Sequence, residues 1–145
     1  MKSKNLNSKS YILRLEKGEE IISSLLDFCT KNKIKAGHLH GLGSITEVVL
    51  AHYMVDNKKF SEKEFDDIYE AASLFGIISH FQNKPHFHVH AAIADDKFKV
   101  FAGHLKKAVT AATCEILIIK SQAKLTRYHD NEIGLDLLAI ERKNR

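Results

Sequence analysis

The chain has 145 residues, of which 44% are hydrophobic and 28% are charged, and its 22 basic and 18 acidic residues give a formal net charge of +4. This length and composition predict a single globular domain and argue against a disordered chain. The small charge excess does not by itself indicate nucleic-acid binding. No apolar run is long enough for a membrane span, and the first residues lack the apolar core of a signal peptide. We therefore expect a cytoplasmic protein without membrane contact.

The apolar spacing predicts one helix near the start of the chain. Residues 1–9 form a basic segment that we expect to be a flexible tail, and residues 10–16 alternate in the manner of a half-buried strand. In the following stretch, GEEIISSLLDFCTKNK, the apolar residues recur at helical spacing. Glu19 and Glu20 are predicted in the first turn of this helix, where carboxylates complement the helix dipole.

Most of the remaining chain is predicted to be extended. The stretch AGHLHGLGSITEVVLAHY indicates two strands joined around Gly41 and Gly43. The middle of residues 56–76 could be a short helix or a polar loop that leads to a strand, and we favour the loop and strand. Tight turns then separate further strand patterns, which favours antiparallel pairing; these patterns are IISHF, HFHVHAAIA, FKVFAGHL, VTAATCEILIIKS, LTRYHD and LDLLAI.

These elements predict an α+β fold. The expected architecture is a mostly antiparallel sheet, curled or split in two, that packs with one main α-helix. The domain is predicted to span residues 10–140, and residues 141–145 are predicted to be a short C-terminal tail. Cys29 and Cys114 lie far apart in apolar surroundings, which predicts reduced thiols in the core rather than a disulfide.

Three of the nine histidines occupy alternate positions of the predicted strand HFHVHAAIA. His86, His88 and His90 would therefore project from one face, and the apolar residues between them would project into the core. A His-x-His pair on a strand is a recurring metal-ligand arrangement, because imidazole nitrogen binds zinc, copper, nickel and iron.

A third ligand is available on the next predicted strand. Pairing across the DDK turn places residue 90 opposite a position near Gly103, so His104 comes within reach of the pair. Gly103 also lets another backbone approach closely. The spacing thus indicates a metal site made by His88, His90 and His104, with an open position for water or a ligand.

Other interpretations of the histidines stay open. The row on the strand could be a polar sheet surface, a pH-sensitive surface or part of a subunit interface. Four further histidines could contribute to a histidine-lined pocket or be ordinary surface or interface residues: His38, His40, His52 and His80.

Several motifs together resemble a known family. RLEKGEEII, GLGSITEVVLAHY, EAASLFGIIS, HVHAAIADD, AGHL and TCEILI follow the order and spacing of the plants and prokaryotes conserved domain, the PPC domain. The resemblance runs from about residue 10 to residue 120. It implies an α+β domain that assembles as a homotrimer.

The resemblance also bears on the metal. Some prokaryotic members of the family look to carry a metal at the histidines that correspond to His88, His90 and His104, which implies a divalent cofactor here, with zinc expected. Three neighbouring histidines depart from the commoner pattern, and no ligand role is carried over to them: His38, His40 and His86.

Plant members of this family carry AT-hook motifs that bind the DNA minor groove, and prokaryotic relatives are often described as DNA-binding by that analogy. This sequence contains no Arg-Gly-Arg-Pro motif. A loose group of basic residues could contact phosphate, and it consists of Lys97, Lys99, Lys106 and Lys107.

Three functions follow as hypotheses. We favour a metal-binding homotrimeric module whose open coordination position receives a small anion or a carboxylate from a partner. The second hypothesis is a metal-dependent enzyme acting on a small molecule, with Glu115 or Glu70 as the general acid or base. Either carboxylate could instead be an ion-pair partner of Arg14 or a lysine. The third hypothesis is a DNA-binding or regulatory protein that uses the four lysines.

Overall fold

The computed structural model of the protein describes residues 1–140. Within these residues the chain forms nine strands and one helix. In chain order the elements are β1 (Lys2–Asn5), β2 (Ser10–Glu16), α1 (Ile21–Lys31), β3 (Gly37–Met54), β4 (Lys59–Phe65), β5 (Tyr69–Phe81), β6 (Lys84–Ala94), β7 (Val100–Lys120), β8 (Arg127–Asp130) and β9 (Leu135–Leu138).

The strands divide into two antiparallel sheets. Seven strands form the main sheet in the order β1-β2-β7-β6-β5-β3-β4, and β3 pairs with β7 as well as with β5. Because of this additional pairing, the ladder of β3, β5, β6 and β7 closes on itself. The strands β8 and β9 form a separate two-stranded sheet. The predicted α+β class, with a mostly antiparallel sheet split in two and one helix, is confirmed.

The helix α1 is confirmed where its apolar periodicity predicted it. Glu19 and Glu20 both precede the helix rather than lying in its first turn. Glu20 is the N-cap, and its carboxylate accepts hydrogen bonds from the backbone N–H groups of Ile22 (3.0 Å) and Ser23 (2.6 Å). These bonds satisfy donors that have no partner within the helix. The helix packs against β6 and β7 through its buried residues Ile21, Leu25, Phe28 and Cys29.

The long strand β3 corrects one prediction. The sequence indicated two strands around Gly41 and Gly43, whereas the structure has one strand of 18 residues with a β-bulge between these glycines. A Cβ atom on Gly41 would lie 2.8 Å from the carbonyl oxygen of Glu115 on β7. The glycines therefore allow close pairing with β7 through the bulge instead of ending the strand.

Two exposed strands also differ from the predictions. Residues 59–65, predicted as part of a loop, form β4 at the edge of the main sheet, and residues 2–5, predicted as part of a flexible tail, pair with β2 as β1. Both strands are rich in polar and charged residues and mostly exposed, so they lack the apolar alternation that identifies a half-buried strand. Such composition is typical of edge strands, which resist pairing with other chains.

The core lies between α1 and the main sheet. Its fully buried side chains include Leu13, Leu15, Leu25, Ile34, Leu39 and Ile116. Cys29 and Cys114 are buried and free, as predicted. Within residues 1–140, no helix combines the length and the apolar character that crossing a bilayer demands. The predicted C-terminal tail, residues 141–145, lies outside the described residues.

The strands β8 and β9, which we call the C-terminal hairpin (residues 127–138), are fastened to the main sheet. The hydroxyl of Tyr53 donates a hydrogen bond to the carbonyl of Ile133 (2.6 Å), and Lys58 Nζ donates to the carbonyl of Asn131 (2.9 Å). Next to the hairpin, the backbone N–H of His80 donates to the carbonyl of Leu125 (2.8 Å). These contacts hold the hairpin beside β3 and β5, near the histidines described below.

Candidate metal centre

Neighbouring strands bring three histidines together. His90 on β6 lies directly opposite His104 on β7, one position from the register that the sequence suggested. Val89, between His88 and His90, is buried, so the two imidazoles project from the other face of the sheet as predicted. A Cβ atom on Gly103 would lie 2.9 Å from the carbonyl oxygen of Ala51, which explains a glycine beside His104.

The three imidazoles converge. His88, His90 and His104 each offer one ring nitrogen, and these atoms all lie within 4.8 Å of one another. The Nε2 atoms of His88 and His90 are 3.1 Å apart. Two nitrogens on one tetrahedral zinc, each at the usual bond length, are separated by roughly 3.3 Å. The donor set and its spacing therefore fit a divalent ion.

The pKa values of two of the three histidines also suit a metal site. Burial, with the neighbouring charges of His88, His90 and Lys106, lowers the pKa of His104 to about 4. Burial and His90 likewise lower the pKa of His88. Neutral imidazole is the form that binds a metal, so these groups need not lose a proton at neutral pH.

The histidines line a cavity of about 420 Å³ that opens to the surface. His52 and His86 also line it, so these two candidate histidines lie near the three converging histidines. The C-terminal hairpin supplies one wall through Arg127, Asp136 and two leucines. This wall was not predicted, because the sequence indicates the strands of the hairpin but not where they pack.

Arg127 is the most constrained cationic group of the wall. Its Nε donates a hydrogen bond to the hydroxyl of Ser79 (2.8 Å), and its Nη1 donates to the carbonyl of Asp136 (2.5 Å). Its Nη2 is buried and has no partner among the described residues, and the same is true of Nδ1 of His86. Burial lowers the pKa of Arg127, and burial together with the charge of Arg127 lowers the pKa of His86.

Three other candidate histidines lie apart from the cavity. His38 and His40 are exposed on β3 and do not line it. His80 is directed elsewhere, since its Nδ1 lies 2.9 Å from the carbonyl oxygen of Lys35. Of the eight histidines considered in the sequence, five therefore line the cavity, and His38, His40 and His80 do not.

The two candidate catalytic carboxylates are also distant from the cavity lining. Glu115 and Glu70 are exposed, and neither lines the cavity. Glu115 lies eleven residues beyond His104 on β7, which corresponds to roughly 35 Å along an extended strand. Arg14 on β2 is its direct cross-strand neighbour, but the Arg14 guanidinium pairs with Glu16 at 3.3 Å, and Glu115 forms no ion pair within residues 1–140. Within one chain, neither residue is placed to transfer a proton at the histidines.

The candidate phosphate-binding lysines do not form one patch. Lys106 lines the cavity, with its Nζ 4.3 Å from the ring centroid of Phe60. Lys107 forms an ion pair with Glu47 (2.7 Å). Lys99 lies over the ring of Phe101. Lys99, Lys106 and Lys107 thus make separate local contacts.

Comparison with known proteins gives one family. A family model described as the Plants and Prokaryotes Conserved (PCC) domain matches residues 2–122. A search of curated proteins finds none that matches the chain. The matched residues include all three converging histidines, whereas the C-terminal hairpin follows them.

Solved structures share the whole fold. A "putative dna binding protein" from Bacteroides thetaiotaomicron is 26% identical, with a TM-score of 0.93 over 97% of this chain and 98% of that one. A metal-containing protein from Archaeoglobus fulgidus is 28% identical, with a TM-score of 0.86 over 92% and 94% of the two chains. A plant- and prokaryote-conserved (PPC) protein from Pyrococcus horikoshii, at 24% identity and a TM-score of 0.85 over 93% and 94%, shares the fold.

Proposed function

This chain belongs to the Plants and Prokaryotes Conserved (PCC) domain family, and from that premise we propose that it is a metal-binding module that assembles as a homotrimer. Each chain holds one divalent ion, with zinc expected, through His88, His90 and His104. The observation that carries the proposal is the convergence of three ring nitrogens, all within 4.8 Å of one another. The similarity to a metal-containing protein from Archaeoglobus fulgidus supports it.

The surrounding residues define what this site can do. Three protein ligands leave an open position, at which a divalent ion supplies Lewis acidity toward an oxygen ligand. The chain itself orients the imidazoles on paired strands, lowers the pKa of His104 and supplies one wall of the cavity with the C-terminal hairpin. We infer a site that receives a small ligand. The location of the protein in the cytoplasm stays a prediction.

Metal analysis of protein purified without a histidine tag tests the proposal. We expect close to one divalent ion per chain, and we expect the double substitution His88→Ala, His90→Ala to remove it. The matched control is His38→Ala, His40→Ala, because this second His-x-His pair is exposed on β3 outside the cavity and should leave the metal content unchanged. A metal-free protein whose melting temperature does not change on addition of zinc would refute the proposal.

DNA binding is a second candidate, because one structure with 26% identity and another with 25% are described as "putative" DNA-binding proteins. Because Lys99, Lys106 and Lys107 make separate local contacts, a single phosphate-binding surface has less structural support than the metal site. Fluorescence anisotropy with duplex DNA at rising salt tests it. A DNA-binding protein should lose affinity steeply with salt, because neutralised phosphates release counterions. Absence of binding at low salt would remove this candidate.

A further inference from the structure

We propose that Arg127 binds the carboxylate of a small organic ligand of the metal site, so that the C-terminal hairpin selects which anion enters the cavity. This inference rests on the proposed function, because it names the ligand class of the same site. It goes beyond that function by assigning ligand recognition to a residue that follows the matched family residues 2–122.

The first support is the fixed position of the guanidinium group. Two of its three nitrogens are held, one by the Ser79 hydroxyl on β5 and one by the Asp136 carbonyl on β9. The side chain is therefore oriented before any ligand arrives, which reduces the ordering cost of binding. Arg127 and the three converging histidines line the same cavity.

The second support is the unsatisfied hydrogen-bonding capacity. Nη2 of Arg127 is removed from solvent and has no partner among the described residues. A buried charged donor without a partner is costly, and each such group in a folded protein calls for an explanation. An acceptor oxygen on a bound ligand, reached by a small shift of the side chain, would satisfy it.

The third support is the balance of charge around the cavity. Lys106 and Arg127 line it, whereas Asp136 is the single carboxylate among its lining residues. One oxygen of Asp136 already accepts from His129 Nδ1 at 2.9 Å. A divalent ion at the histidines would add further positive charge. An anionic ligand is therefore favoured over a cationic one.

The remaining lining distinguishes a carboxylate from phosphate. Phe60, Leu135 and Leu137 give part of the cavity an apolar wall, which suits the carbon skeleton of an organic acid. Because Nε and Nη1 of Arg127 are already engaged, the group offers Nη2 to one acceptor oxygen of the ligand. The apolar wall therefore favours a small organic carboxylate over inorganic phosphate, which has no carbon skeleton to bury.

Calorimetric titration of the zinc-loaded, untagged protein tests this assignment. The probes are acetate, propionate, succinate and inorganic phosphate. We expect saturable binding of at least one carboxylate and weaker binding of phosphate. Arg127→Met and Arg127→Lys should each weaken carboxylate binding by about tenfold or more, because a hydrogen bond to a charged group is lost. Zinc content should stay unchanged in both variants.

Lys124→Met is the matched control, since it removes an exposed cation that does not line the cavity. Thermal melts identify a variant that fails to fold. If Arg127→Met does not fold, Arg127→Lys, which retains the charge, still tests the inference. Unchanged carboxylate binding in the Arg127 variants, tighter binding of phosphate, or no carboxylate binding would overturn the inference. If the protein holds no zinc, the proposed function fails, and the same titrations on the metal-free protein decide the inference separately.

Discussion

Burial lowers the pKa of His104 to about 4 and raises the pKa of Cys29 to about 12, because in both residues the buried environment disfavours the charged form. The chemical consequences are opposite. The imidazole stays neutral and can bind a metal, whereas the thiol stays protonated and is a poor nucleophile. Burial, with a smaller contribution from Glu115, also raises the pKa of Cys114 to about 12.

The cysteines therefore provide a prediction at the scale of single residues. Iodoacetamide should not modify Cys29 or Cys114 in the native protein at mildly alkaline pH, since the thiolate is the reactive form and its fraction there is very small. In denaturant both thiols should be modified, and mass spectrometry counts the adducts. Equal modification rates in the native and denatured protein would show that these side chains are not buried.

The histidine site and its wall differ in how far the sequence could predict them. His88 and His90 follow from strand alternation, and His104 follows from a short turn, so local spacing suffices to within one residue of register. Arg127 comes from a separate sheet whose contact with Ser79 spans 48 residues of sequence. No local sequence pattern indicates such packing, so this wall of the cavity could be recognised only in the structure.

At the scale of elements, burial decides which strands and helices the sequence reveals. The helix α1 and the strand β2 each bury one face, so apolar residues recur at the period of the element. The strands β1 and β4 are largely exposed and carry no such pattern. The bulge in β3 was misread as a strand end, because glycine signals both a break and a close backbone approach.

The C-terminal hairpin yields a prediction at this scale through Gly134. This glycine has φ +79°, and a Cβ atom there would lie 2.7 Å from the hydroxyl oxygen of Tyr53, whose hydrogen bond to Ile133 fastens the hairpin. Gly134→Ala should combine backbone strain of about 1 kcal/mol with this clash. We expect lower stability in urea unfolding and faster amide hydrogen exchange in residues 127–138.

Gly18→Ala is the matched control for this substitution. Gly18 has a similar backbone angle, φ +87°, but a Cβ atom there would have no neighbour within 4 Å. It should therefore show the strain alone, without an effect on exchange in the hairpin. Equal losses of stability in the two variants, with unchanged exchange in residues 127–138, would mean that Gly134 does not hold the hairpin in place.

At the scale of the whole molecule, one face of the main sheet leaves apolar side chains in contact with solvent. Phe75 on β5 is 55% exposed and Leu42 on β3 is 52% exposed. Phe75 lies opposite His40 on one side and opposite His90 on the other. Apolar exposure on the face that also carries one of the three converging histidines is what a subunit interface beside the site would produce. It supports the proposed homotrimer.

Phe75→Glu should therefore convert the proposed trimer into monomers, because a charge in an apolar subunit interface is costly to desolvate. Light scattering measures the mass of each form. The matched control is Phe98→Glu, since Phe98 is 87% exposed in the connection between β6 and β7, away from this sheet face, and its replacement should leave the mass unchanged. A monomeric wild-type protein would contradict the trimer outright, and a Phe75→Glu variant that remains trimeric would mean that the subunits meet through another surface.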